Sequence, residues 1–249
     1  NPVPGGWATK IYTLAPASQT TSLFWISGAN KFREYLYFSK DRHLVATKDP
    51  SIKTDNVHSP YSIGSLDLGQ TYYWQIETKN TMLQLITGQV WSFRIADYLL
   101  VDNFDDFTGI WTCNNATSSV VDNAGLKFSS YGKSMKIQVA AGQVGSISSV
   151  PAGNNWTVKN VKGLYIDLYG RLSNSENATM TITLNDSASI MYSDKLNVED
   201  KDGNRITWKI PLESFGLNMA SISKLTISIN NSEGFQDCVI NIDEIRLVP

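Results

Sequence analysis

The sequence has no apolar run approaching the roughly 18 to 20 residues of a membrane-spanning helix. It also has no excess of basic charge, with 21 Lys and Arg against 23 Asp and Glu and a formal net charge of −2. The first absence argues against membrane insertion as a helix. The second removes the electrostatic field that draws a polyanion, so nucleic acid is not an expected partner. Histidine is almost missing: only His43 and His58 occur. Both stand in polar, loop-like sequence with no partner nearby and read as solvated side chains. A nucleophilic triad therefore lacks its base over most of the chain, and no carboxylate pair carries a glycosidase motif. No enzyme is expected. Two cysteines say little by themselves. No amphipathic helical run exceeds about three turns.

What is present is β-forming sequence. Thr, Ser, Val, Ile, Tyr and Trp dominate, with Gly, Asn and Asp between the runs, so the fold class is all-β. A hydrophobic content of 42% with 18% charged residues belongs to a globular protein rather than a disordered one. The length of 249 residues fits one large or two ordinary domains. The stretch from Gln89 to Trp111, QVWSFRIADYLLVDNFDDFTGIW, organises the rest. Val90 to Ala96 reads as the closing strand of one β unit and Leu99 to Asp105 as the opening strand of another. The residues between are too few for a flexible tether. Domains are thus expected at 1–97 and 98–249, meeting almost rigidly. The start, NPVPGGW, reads as a processed end or an excised piece of a longer chain.

In the first domain, strands are expected at Thr9–Leu14, Thr21–Ile26, Glu34–Ser39, Leu44–Thr47, Pro60–Ile63, Thr71–Thr78 and Val90–Ile95, a sandwich pattern. Trp25 shares a face with Leu23. The stretch LDLGQTY, from Leu66 to Tyr72, resembles the Leu-x-Pro-Gly-x-x-Tyr corner of fibronectin type III-like domains, with Leu68 in place of the proline. The resemblance implies that Trp25, Trp74 and Ile76 enter the core and that the Tyr72 hydroxyl closes the corner. Such sandwiches mostly space or present other domains, so it implies little about function.

The second domain reads as strands Leu99–Asp105, Leu126–Ser129, Ser134–Val139, Val144–Val150, Gly163–Gly170, Thr179–Asp186, Ile190–Leu196, Arg205–Pro211, Lys224–Asn230 and Cys238–Val248. A short helical turn is expected within Leu212–Ser223. This pattern suggests two packed antiparallel sheets, a jelly roll. In order, VDNFD (Val101–Asp105), KSMKI (Lys133–Ile137), VKGLYIDL (Val161–Leu168), TWKIPL (Thr207–Leu212) and VINIDEIRL (Val239–Leu247) resemble a galactose-binding-like jelly roll of the carbohydrate-binding-module type. Joined to a fibronectin-like domain through Trp91–Tyr98, the pair resembles parts of large bacterial secreted or cell-surface proteins. That resemblance implies an extracellular or cell-surface location and a glycan partner.

Candidate sites follow. On the last strand, Val239, Ile240 and Ile242 are apolar, as are Ile245 and Leu247, so alternation slips at Asp243-Glu244. A slip of this kind signals a bulge that re-aims a side chain. Phe104 would be buried, leaving Asp105 to reach out beside it. In the resembling modules, acids at these positions hold a structural calcium with backbone carbonyls, which implies Ca2+ at Asp105 and Asp243. The alternative is a solvated edge, with Asp102 and Asp106 as further surface charges. For carbohydrate, Tyr165, Asp167 and Tyr169 alternate with Leu164, Ile166 and Leu168, while Thr183 and Asn185 alternate with Ile182 and Leu184. If these strands share a sheet, one face offers aromatic rings and polar groups to sugar rings. An exposed face is also rich in Thr and Tyr for strand propensity alone. Trp208 reads as core, and Trp111 and Trp156 as secondary ligand candidates. If the first and last strands run antiparallel, Cys238 comes close to Cys113, and a disulfide is expected between them, with two separate thiols as the alternative. Sequons at Asn115, Asn155, Asn177, Asn185 and Asn230 permit glycosylation without requiring it. Two functions stay open: a non-catalytic glycan-binding module pair, or a structural component whose partners are neighbouring copies of itself.

Overall fold

The computed structural model describes residues 8–13, 20–28, 30–105, 110–122, 132–197 and 206–249. Strands dominate, and the all-β class holds; among the described residues the one α-helix is Arg42–Thr47. The chain divides into two compact units, changing over between Tyr98 and Leu99, with Thr13 at the end of the first strand grouped with the second unit.

The first unit contains β1 (Ala8–Thr13), β2 (Thr21–Leu23), β3 (Lys31–Ser39), α1 (Arg42–Thr47), β4 (Lys53–Asp55), β5 (Tyr61–Gly64), β6 (Thr71–Asn80), β7 (Leu85–Thr87) and the start of β8 (Trp91–Asp102). β4, β3 and β6 lie side by side and antiparallel, and β7 and β8 follow one another along the other flank of β6. β2 and β5 form a separate pair. Alternation on these strands sends Leu23, Trp25, Leu36, Trp74, Ile76 and Trp91 into one core. Trp74 lies 6.3 Å from Trp25 and 4.7 Å from Trp91 between ring centroids. The Tyr72 hydroxyl accepts the Asp67 N–H at 3.1 Å, closing the corner that LDLGQTY led us to expect.

Leu44–Thr47 is a correction: it is the end of α1, not a strand. So short an apolar run does not distinguish the two periods. Asp41 decides it, because its carboxylate caps the His43 N–H at 2.7 Å, and Lys48 ends the turn at φ 56°. The brief strands β4 and β7 have too little alternation to read from sequence.

The second unit contains β9 (Thr112–Asn114), β10 (Thr117–Asp122), β11 (Lys133–Val139), β12 (Gln143–Ser149), β13 (Gly163–Gly170), β14 (Thr179–Leu184), β15 (Ala188–Met191), β16 (Ile206–Pro211), β17 (Leu225–Asn231) and β18 (Cys238–Val248). One antiparallel sheet runs β10–β11–β18–β13–β16, with Leu99–Asp102 of β8 following β11 along β18. The other runs β15–β14–β17–β12–β9. Ile137, Leu164, Ile166 and Ile240 from the first sheet and Ile147, Met180, Ile182 and Ile227 from the second are fully buried. Each such side chain stabilises the sandwich by about 1.5–3 kcal/mol. The expected helical turn is a single 3-10 turn at Leu212–Phe215, ended by Gly216 at φ 62°. The expected strand at Leu126–Ser129 lies outside the described residues, and that at Ile190–Leu196 is shifted to Ala188–Met191. β9 and β10 were not anticipated, because their side chains are largely exposed and carry no apolar alternation.

Candidate binding cleft

The expected sugar face does not exist as one surface. Tyr165, Asp167 and Tyr169 stand on β13 in the first sheet, whereas Thr183 stands on β14 and Asn185 just beyond it in the second. Asp167 is also no acceptor for a ligand hydroxyl, because it is fully buried. Its Oδ1 accepts from the Thr207 hydroxyl at 2.5 Å and from Arg246 Nη2 at 3.3 Å, and its Oδ2 pairs with Arg246 Nη1. The same Nη1 reaches Glu244 at 2.8 Å. These partners come from β16 and β18, which flank Asp167 in register. Periodicity along one strand shows which way a side chain points, but not which charge arrives beside it. Tyr165 is half-buried, with the Lys209 ammonium 5.5 Å from its ring centroid, so its face already has a cation beside it. Tyr169 is likewise half-buried.

On the outer face of the second sheet, register aligns Thr112, Ser148, Thr226, Thr183 and Ser189 in one row across the strands. Hydroxyls pair within it, Thr112 with Ser148 at 2.9 Å and Thr183 with Ser189 at 2.8 Å. The row contains no aromatic ring, so it has no stacking platform.

At one end of this sheet the chain forms a cleft of about 810 Å³. It is built where β8 ends, β9 begins, β12 ends, β14 turns into β15, and β17 begins. Asn185 and Asp186 make the β14–β15 turn at φ 53° and 54°. The Asn185 side-chain carbonyl accepts the N–H groups of Ser223 at 2.8 Å and Lys224 at 3.3 Å, and its amide donates to the Ser221 carbonyl at 2.9 Å. Asn185 therefore belongs to the cleft wall as a brace. Asp186 and Lys224 pair at 2.9 Å on the rim. Trp111 lies in the lining, 9% exposed, with its indole N–H donated to Asp102 at 2.9 Å. Asp102, which read as a surface charge, also accepts the Phe104 N–H at 2.8 Å and so orients both aromatic residues. Ile110 and Val150 stand out at the edges, 80% and 74% exposed. Thr112, Ser148, Ser149 and Ser223 supply hydroxyls between them. The lining is mixed: Val101, Pro151, Ala152 and Leu225 add apolar surface beside these hydroxyls, a mainly apolar wall with a few polar groups of the kind that small-ligand clefts have. Apart from Trp111, Asn185 and Asp102, these residues were not singled out in sequence, because they lie at strand ends that only the topology gathers.

The bulge expected on the last strand is present. Asp167 pairs with Glu244 and Leu168 with Ile242, which leaves Asp243 as the extra residue. The ladder with β11 ends at Ile242 and that with β8 begins at Ile245, so the hand-over between them falls at Asp243 and Glu244. The Asp105 carboxylate accepts the Lys133 N–H at 2.7 Å, at the start of β11, and the Asn103 amide at 3.2 Å. Phe104 beside it is fully buried. Carboxylates such as those of Asp243 and Asp105 are hard oxygen donors of the kind calcium takes. Among the described residues, no group of three or more His, Cys, Asp or Glu side chains gathers into a metal site. Any cation here would therefore draw its remaining ligands from carbonyls and water. Asp106 lies outside the described residues.

The Cys113–Cys238 bridge is a correction: both thiols are free, Cys113 exposed and Cys238 buried. Cys113 is on β9, opposite Ile147 of the second sheet, and Cys238 is on β18, opposite Val139 of the first. The Cys113 sulfur instead lies 3.1 Å from the Ser118 hydroxyl. Trp156 is fully buried, and Trp208 packs edge-on to Tyr192 at 5.1 Å. Trp156 is thus core rather than a ligand candidate, and Trp208 is core as expected. His43, in α1 rather than a loop, and His58 are both exposed.

No family model matches this chain, and no curated protein matches it. Solved structures do. An exo-beta-agarase aligns at 18% identity and a TM-score of 0.42, over 61% of this chain and 24% of the agarase. The match spans about a quarter of that enzyme's length. A family 11 carbohydrate-binding module from Clostridium thermocellum, solved with a beta-1,3-1,4-mixed-linked tetrasaccharide, aligns at 14% identity and a TM-score of 0.41, over 60% of this chain and 94% of the module. The Caldicellulosiruptor saccharolyticus CBM27-1 module, solved with mannohexaose, aligns at 14% identity and a TM-score of 0.44, over 62% of this chain and 98% of the module.

Proposed function

We propose that this chain is a non-catalytic, extracellular or cell-surface module pair whose second unit binds glycan. The fibronectin type III-like first unit presents it, and calcium at Asp105 and Asp243 braces the jelly roll. The observation that carries the reading is the cleft of about 810 Å³ at the sheet end. It offers the apolar edges of Ile110 and Val150, hydroxyls from Thr112, Ser148 and Ser149, and a wall held by Asn185. The charged pair Asp186–Lys224 sits at its rim. The Tyr72–Asp67 corner supports the reading of the first unit.

The test is binding to an array of neutral oligosaccharides that includes mannohexaose and the beta-1,3-1,4-mixed-linked tetrasaccharide. Ile110→Ala combined with Val150→Ala strips two exposed side chains and should leave the melting temperature unchanged. Weak binding by the native chain, lost in this double variant, supports the cleft. Binding that the double variant leaves unchanged removes it.

A specific observation also favours a second reading, self-assembly. The β6–β7 turn and β7 carry Met82, Leu83, Leu85 and Ile86, each between 57% and 71% exposed. From Thr81 to Gly88 the sequence holds no charge. Uncharged apolar edge strands are templates for pairing with another chain. Sedimentation equilibrium showing a dimer that Leu85→Lys dissociates would put assembly first. A monomer at all concentrations would remove it.

A further inference from the structure

The β17–β18 turn, at the other end of β17 from the cleft and about 20 Å away at the usual rise per residue, presents Phe235 with 99% of its surface exposed. The turn beneath it is held from several sides. Asn231, only 1% exposed, donates its side-chain amide to the carbonyls of Gln236 at 2.8 Å and Ala140 at 3.2 Å. Its backbone carbonyl accepts the N–H groups of Gly142 at 3.1 Å and Gly234 at 3.0 Å. Asp237 takes the Gln138 amide at 2.7 Å and the Ala141 N–H at 3.2 Å. A Cβ at position 234 would lie 1.9 Å from Asn231 Oδ1, so the close approach under Phe235 needs glycine. A bare ring on so constrained a turn is already placed for contact, and little freedom is lost when a partner settles on it.

The surroundings indicate the partner. Glu233, Gln236 and Asp237, around Phe235 in sequence, are all exposed and polar. Glu233 also accepts the Asn177 side-chain amide at 3.0 Å, a bond that sets a carboxylate and an amide together on the adjoining loop. A protein interface needs roughly 1,000 Å² with a contiguous apolar centre. One ring among acids and amides fits a ligand with one apolar face and a hydroxylated edge. We propose that Phe235 is a second glycan contact, separate from the cleft. It stacks on the face of a single sugar ring, while the Glu233–Asn177 pair takes that ring's hydroxyls.

The same oligosaccharide array, with mannohexaose and the beta-1,3-1,4-mixed-linked tetrasaccharide as soluble probes, tests this with three variants. Phe235→Ala should weaken binding by roughly three- to tenfold, the size of one aromatic contact, with an unchanged melting temperature. Phe235→Leu should weaken it equally, because a leucine keeps the apolar volume but loses the flat face. Phe235→Trp should bind at least as well as the native chain. A cavity on a protein partner would show the opposite order, keeping Leu and rejecting Trp. Unchanged binding in Phe235→Ala, or native affinity in Phe235→Leu, overturns the proposal. The Ile110→Ala, Val150→Ala variant separates the two sites. If it binds normally while Phe235→Ala does not, the cleft reading falls and Phe235 stands. The reverse result leaves the cleft and removes Phe235. No binding of any glycan by the native chain removes both.

Discussion

Arg246 grips Asp167 from the neighbouring strand, both terminal guanidinium nitrogens meeting a carboxylate that is fully shielded from water. Removing one member of such a pair strands the other charge in the interior. Arg246→Ala should therefore destabilise the second unit by about 3–5 kcal/mol. Urea denaturation read by tryptophan fluorescence measures it. Asp167→Asn together with Arg246→Met should lose much less, because neither charge is then left alone. Equal losses in the single and double variants would mean that the pair does not set stability.

The first unit should be sensitive to acid through Glu77. Burial alone pushes its carboxyl up, but the bond and charge of Lys48 at 2.6 Å, with the Thr87 and Tyr37 hydroxyls, outweigh it and hold the carboxyl below its ordinary value. A depressed folded value means that its contribution is complete above the unfolded value of about 4.3 and is lost as pH falls toward the folded one. Tyr37 works at the other extreme: burial, then the Glu77 charge, pushes its phenol up to about 12. The raised value means that its contribution is complete below about 10 and is lost as pH rises through that window. Unfolding free energy measured against pH should fall at both ends. Glu77→Gln should flatten the acid limb.

The thiols should separate by accessibility. Cys113 is exposed, whereas burial pushes the Cys238 thiol up to about 11. Alkylation of the native, unreduced protein should label Cys113 alone, and Cys238 should react only after denaturation. Mass spectrometry checks both labels. A chain in which neither cysteine alkylates until it is reduced would contradict the strand placement.

Calcium at Asp105 and Asp243 is a proposal with a direct readout. A cation that binds only the folded state raises stability by mass action. The melting temperature should rise with added Ca2+ and fall in chelator. Asp243→Asn should abolish the response while preserving the fold. Identical melting in calcium and in chelator removes the metal.

The sequence by itself determined the all-β class, the corner at Tyr72 and the bulge at Asp243. Each of these is written in a local pattern: a two-residue alternation, its slip, or a turn with fixed chemistry. The helix at Arg42–Thr47 reads as a strand in sequence, because its apolar run is too short to show a period; the Asp41 cap decides it in the structure. What alternation could not say is which strand lies beside which. Tyr165 and Thr183 point outward from their strands as the pattern required, yet β13 joins β18 and β16 while β14 joins β17, so the two residues occupy different sheets. The same pairing turned Asp167 from a ligand acceptor into the partner of Arg246, 79 residues away, and separated Cys113 from Cys238. The cleft around Trp111 and Asn185 exists only because strand ends distant in the chain arrive at one end of a sheet. Local periodicity sets the face of a strand; long-range pairing, decided by packing the whole core, sets its neighbours.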